Sequence, residues 1–152
     1  MRYTLFAAII ILGLAACKKD KFTTAPQISY KTLKPNTVYH NLSIQPAPVL
    51  TLHVTDAEGD LSFVPGHDSA WIYMKNLLTL GRDSLQFPDL TGVTTSNFQF
   101  DLDIPLTSNI LIHGTPGLHK TDTLYYEVYI IDAAKNKSNV ITTKDPVYFI
   151  VP

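Results

Sequence analysis

Apolar and polar residues alternate without a break over Phe98-Gln99-Phe100-Asp101-Leu102-Asp103-Ile104, and Pro105 stops the run. A period of two describes a strand with one buried face, here Phe98, Phe100, Leu102 and Ile104 inward and Asp101 and Asp103 outward. The same pattern recurs along the chain. Residues 27–33 alternate, residues 49–54 set Leu50, Leu52 and Val54 on one face, and residues 124–131 give the strongest strand signal. Prolines fall between these runs, where a missing amide breaks no ladder. No stretch has a convincing helical period. The predicted fold is therefore all-β, an antiparallel sandwich of short strands joined by turns.

The remaining segments are expected to fill in that frame. Residues 38–40 and 42–44 form a short irregular edge strand, ended by Pro46 and Pro48, and residues 61–63 continue beyond the acidic loop 56–60. Residues 70–74 are the strand that carries the only tryptophan, residues 85–87 are cut by Pro88, and residues 108–113 form an edge piece. Residues 77–80 fit either a strand end or a bend. Residues 140–143 and 147–151 close the chain around Asp145-Pro146.

The start of the chain has a different character. One positive charge at Arg2, an apolar run over residues 5–14 and two alanines precede the sole cysteine. Such an order marks a secretory signal peptide, and the run is short of the roughly 20 apolar residues that cross a bilayer. Leu14-Ala15-Ala16-Cys17 resembles the lipobox of bacterial lipoproteins. That resemblance implies cleavage before Cys17, a diacylglycerol (palmitate-type chains) on its thiol and acylation of the new amino terminus. The membrane is then a partner through the lipid, each buried CH₂ contributing about 0.8 kcal/mol. In Gram-negative lipoproteins an aspartate after the cysteine marks inner-membrane retention. Lys18 stands there instead, which points to the outer membrane, on its periplasmic or its surface face. The expected division is a leader over residues 1–16, a lipidated cysteine and flexible tether over 17–26, and one domain over 27–152.

Composition narrows the function. With a net charge of −1 there is no electrostatic case for nucleic acid. With the only cysteine assigned to lipid, no disulfide is available, and an apolar core must supply the stability.

Asp122-Thr123-Leu124-Tyr125-Tyr126-Glu127-Val128 resembles the run that enters strand F of immunoglobulin domains. The resemblance implies an immunoglobulin-like sandwich of about seven strands, of the disulfide-free, fibronectin type III-like kind. It puts Tyr126 at the tyrosine corner, Leu52 and Val128 at the places of the inter-sheet disulfide, and Trp71 over them on strand C. Two loops, 54–61 and 131–139, are similar to the acidic B–C loop and the F–G turn of small, uncharacterised Gram-negative lipoproteins, for which no activity is known. Where glycine is usual in that turn this chain has Lys135, which shifts the expected left-handed position to Asn136.

In a sandwich of this order the two loops share a pole. Asp56, Glu58 and Asp60 then approach Asp132 and Asn136, an all-oxygen set of the kind that holds Ca²⁺. The spacing is not that of an EF-hand, and the favoured use of these acids is Asx-turns to their own backbone with no cofactor, Ca²⁺ being the alternative. Asp101 and Asp103 face outward and could in principle act on a glycoside, but nothing in the sequence supplies a cleft. The five histidines show no zinc spacing, and no nucleophile elbow or free cysteine remains. Tyr125, Tyr129 and Tyr148 are candidates for a sugar-stacking face. The expected role is a non-catalytic envelope module that binds or scaffolds a protein or a glycan, with adhesion or nutrient capture as the nearest alternative and a glycosidase as the remoter one.

Overall fold

The computed structural model describes residues 21–40, 45–62, 68–90, 92, 96–108 and 110–152. The leader, Cys17, residues 42–44 and Phe63 lie outside the described residues. Among the described residues none is helical, and no helix is long and apolar enough to cross a membrane. Ten strands follow one another: β1 (Gln27–Lys34), β2 (Thr37–Tyr39), β3 (Val49–Asp56), β4 (Trp71–Asn76), β5 (Arg82–Gln86), β6 (Phe98–Pro105), β7 (Lys120–Leu124), β8 (Tyr126–Ile131), β9 (Ile141–Thr142) and β10 (Val147–Val151). They form three sheets ordered β1-β3-β6, β5-β4-β8-β9 and β2-β10-β7. All pairs are antiparallel except β2 with β10.

Strand β3 is bonded on both sides, from Val49↔Pro105 to Asp56↔Phe98 against β6 and from Gln27↔Thr55 to Lys34↔Val49 against β1. Its β-branched residues suit that central place. Leu50, Leu52 and Val54 are fully buried, as the alternation requires. From the second sheet Ile72, Met74, Tyr126, Val128 and Ile130 enter the same apolar cluster, and Leu124, Val147 and Phe149 enter it from the third. One core between layers is compatible with a β-sandwich, and each fully buried aliphatic side chain contributes about 1.5–3 kcal/mol.

Leu52 and Val128 lie inward as expected. Tyr126 does too, and its hydroxyl donates to the Leu111 carbonyl at 3.3 Å, 15 residues upstream. Trp71 does not take the expected place. It is half-buried on the outer face of β4, because Ile72 and Met74 take the inward positions. Both parities of that strand are apolar, so the period alone does not choose between them.

Other expectations are corrected. Strand signal 124–131 is two strands, since the chain leaves β10 at Leu124 and joins β4 and β9 from Tyr126. Of the two readings open for residues 77–80 the structure shows the bend, with Leu80 at φ 62, whereas 110–113, expected within an edge piece, form a turn whose Leu111 plugs the core. Residues 61–62 are not a strand. The tether is also shorter than expected. Thr55 Oγ1 donates to the Lys21 carbonyl at 3.1 Å, Ala57 N donates to the Thr23 carbonyl at 3.2 Å, and Pro26 is buried. Residues 21–26 therefore dock on the domain.

Candidate functional site

Asp56 ends β3 and is fully buried on the same inward face as Leu52 and Val54, and Thr55, which alternation would turn outward, is buried beside it. The chain curls there because Asp56 Oδ2 accepts the Gly59 amide at 2.5 Å, with Gly59 at φ 72, a conformation natural to glycine. Asn97 N donates to the Ala57 carbonyl at 2.8 Å and holds the loop from the β6 side.

The second loop, after β8, turns around Asp132, which is also fully buried. Its Oδ1 accepts the Asn136 amide at 2.7 Å and its Oδ2 accepts Asn136 Nδ2 at 3.0 Å. Lys135 itself takes the left-handed position at φ 73, not Asn136. Its ammonium reaches outward to Asp68 Oδ1 at 2.7 Å.

The two loops meet as expected. Ala133 N donates to the Asp60 carbonyl at 3.3 Å, and Ala134 N donates to Asp60 Oδ2 at 3.2 Å. Carboxylate oxygens of Asp56, Asp60 and Asp132 thereby come within 4.8 Å of one another. Three of the five expected ligands converge. Glu58 is exposed and outside this group, and the Asn136 side chain is turned to Asp132 as a donor.

Asx-turns and the neighbouring loop account for Asp56 Oδ2, Asp60 Oδ2 and both Asp132 oxygens. They do not account for Asp56 Oδ1 and Asp60 Oδ1, which are buried and accept no hydrogen bond among the described residues. Nor does any Lys, Arg or His pair with the three acids there. Burial pushes the Asp56 carboxyl up to about 6, the Gly59 amide opposing and Asp60, Glu58 and Asp132 adding to the rise. Burial, then the Asp132 charge, raises Asp60 as well. At neutral pH Asp56 is still mostly ionised, so protonation does not relieve the crowding. Buried charges of this kind are ordinarily paired or bound to a metal. The donor set, all carboxylate oxygen without nitrogen or sulfur, suits a hard divalent cation such as Ca²⁺.

Other sequence candidates are placed elsewhere. Asp101 is exposed and accepts Lys31 Nζ at 2.6 Å and His53 Nδ1 at 2.9 Å, while Asp103 accepts Thr51 Oγ1 at 2.7 Å. Both sit on an open sheet face, engaged with neighbours. Tyr125, Tyr129 and Tyr148 do not share one face: Tyr148 is on β10, and Tyr125 is at the break between β7 and β8. Tyr129 instead stacks on Tyr73, a residue the sequence did not single out, with centroids 4.9 Å apart and planes at 10°. The signal for Tyr73 was the Trp71-Ile72-Tyr73-Met74 order, once Ile72 and Met74 are known to be inward.

No protein-family model, curated protein or solved structure matches the chain.

Proposed function

We propose that this chain is a lipid-anchored protein of the bacterial outer membrane whose immunoglobulin-like domain is a non-catalytic binding or scaffolding module, clasped at one pole by Ca²⁺. The observation that carries the clasp is the pair of buried oxygens, Asp56 Oδ1 and Asp60 Oδ1, left without donors beside Asp132. A cation there would neutralise three crowded carboxylates and tie the loop after β3 to the loop after β8. Such ties suit a module outside the cytosol, where Ca²⁺ is abundant and weak extracellular sites suffice.

The immunoglobulin-like, fibronectin type III-like topology is supported by the strand orders β1-β3-β6 and β5-β4-β8-β9, and by Tyr126 bonding back to the Leu111 carbonyl. The anchor rests on Leu14-Ala15-Ala16-Cys17. A glycosidase is disfavoured, since Asp101 and Asp103 are exposed on a sheet and held by Lys31, His53 and Thr51.

Mass spectrometry of the native protein tests the anchor. The expected product begins at Cys17 and carries thioether-linked diacylglycerol, and an intact leader or a bare thiol refutes it. Calorimetry in Ca²⁺ and in EGTA tests the clasp, with a higher melting temperature expected in millimolar Ca²⁺.

A further inference from the structure

On the outer face of the β5-β4-β8 sheet the register sets three rows side by side: Gln86-Trp71-Ile131, Ser84-Tyr73-Tyr129 and Arg82-Lys75-Glu127. In the middle row the two tyrosine rings stack, and Lys137 Nζ lies 3.9 Å from the Tyr129 centroid, reaching it from the β9 side. Tyr129 thus has a ring contact with Tyr73 and a cation contact with Lys137. Among the described residues Tyr73 has a ring contact with Tyr129 alone, and the residue opposite it on β5 is Ser84, whose side chain is too short to cover a ring. A shallow cavity of about 250 Å³ opens here, lined by the two tyrosines, the cations Lys75, Arg82 and Lys137 and the acids Asp83 and Glu127, so the cations are in excess by one. That volume is below the roughly 300–1,000 Å³ of clefts for drug-sized molecules and suits a single ring.

The third row carries a charge anomaly. Lys75 and Arg82 are directly opposite each other, and like charges so placed destabilise a strand pair. Among the described residues neither they nor Lys137 makes an ion pair. Glu127 is opposite Lys75 on the other side, but does not approach it to ion-pair distance. Three unpaired cations beside an open aromatic face are complementary to a ligand with both an anionic group and an array of C–H bonds. The negative ring face attracts C–H hydrogens, and a guanidinium fork fits a carboxylate or sulfate.

We propose that this face binds an acidic saccharide, with one pyranose ring stacked on the open side of Tyr73 and its carboxylate or sulfate held by Arg82 and Lys75. Half-buried Trp71, in the row beyond, would carry the next sugar unit. This names a ligand for the binding module proposed above and rests on that role alone, since neither the lipid nor the acidic pole contributes a residue.

The test is isothermal titration of the full chain, purified with its lipid in detergent, against tetragalacturonate, maltotetraose and hexaglutamate. Each titration is run in Ca²⁺ and in EGTA, so that a failed clasp and a failed platform are distinguishable. Tetragalacturonate is expected to bind with a Kd of about 1 mM or tighter, and maltotetraose and hexaglutamate at least tenfold more weakly. Tyr73→Ala and Arg82→Ala are each expected to weaken binding tenfold or more, and Tyr148→Ala, on another sheet, to leave it unchanged. Arg82 is exposed, so its variant keeps the test valid if Tyr73→Ala does not fold. Absence of tetragalacturonate binding, unchanged affinity in both platform variants, or equal binding of the neutral sugar or the acidic peptide would overturn the proposal.

Discussion

Replacing Asp56 with Asn should stabilise the protein in EGTA and abolish its response to Ca²⁺. The amide keeps an oxygen for the Gly59 amide, now 2.5 Å from Asp56 Oδ2, and puts an N–H donor where Oδ1 has no partner. It also removes one of three crowded charges. Burial has raised the Asp56 carboxyl from 3.8 to about 6. At 1.36 kcal/mol per pH unit, its ionisation at pH 7.5 costs the fold about 3 kcal/mol, which is the upper limit of the gain. For a domain of this size that is about 10 °C in melting temperature. The parent protein should instead gain from Ca²⁺. With a Kd in the range of extracellular modules, about 0.1–1 mM, 5 mM Ca²⁺ adds about 1–2 kcal/mol. Differential scanning calorimetry of both proteins, each in EGTA and in Ca²⁺, gives four numbers with opposite expected signs. A variant destabilised equally in both buffers would make Asp56 a purely structural acceptor. A variant that still responds to Ca²⁺ would remove the site from this pole.

The pH dependence in EGTA follows from the same group. Between about 3.8 and 6 the folded Asp56 holds a proton that the unfolded chain has released, so its contribution is lost as pH rises through 6. The parent is expected to be about 1.4 kcal/mol less stable at pH 7.5 than at pH 5 on this account, and Asp56→Asn should lack the difference in parallel urea melts. Gly114→Ala is expected to cost about 2–3 kcal/mol, because its Cβ would stand 2.8 Å from Phe149 Cδ1 and press on the Asp122 carboxylate. That carboxylate cannot easily yield, as it accepts Thr115 N at 2.7 Å and Lys120 Nζ at 2.8 Å; urea unfolding reads the loss. Tyr126→Phe should cost about 1 kcal/mol by leaving the buried Leu111 carbonyl without the hydroxyl, measured the same way.

Much of the strand layout was legible because one-sided burial writes a period of two. Strands β3 and β6 show it most plainly, with Leu50, Leu52, Val54, Leu102 and Ile104 all buried as their spacing requires. The acidic pole was legible in part. Asp56, Asp60 and Asp132 converge, but Glu58 and Asn136 do not join them, since neither loop's backbone path is written in its composition. Asp56 continues the inward face of β3 after Val54, and Gly59 N donates to its Oδ2 there.

The amino-acid sequence by itself determined that the domain is built of strands and which faces of the clearly alternating ones are apolar, because those preferences are local. Only the tertiary structure decided which sheet each strand joins, and where ambiguous strands point. The run 124–131 is uniformly rich in strand formers, yet pairing with β10 before Tyr125 and with β4 after it splits the run in two. Strand β4 is apolar on both sides, and the core had room for Ile72 and Met74, which left Trp71 and Tyr73 on the outer face. The physical reason is the same in each case: pairing and burial depend on partners far away in the chain, and a local pattern constrains them only when its two faces differ.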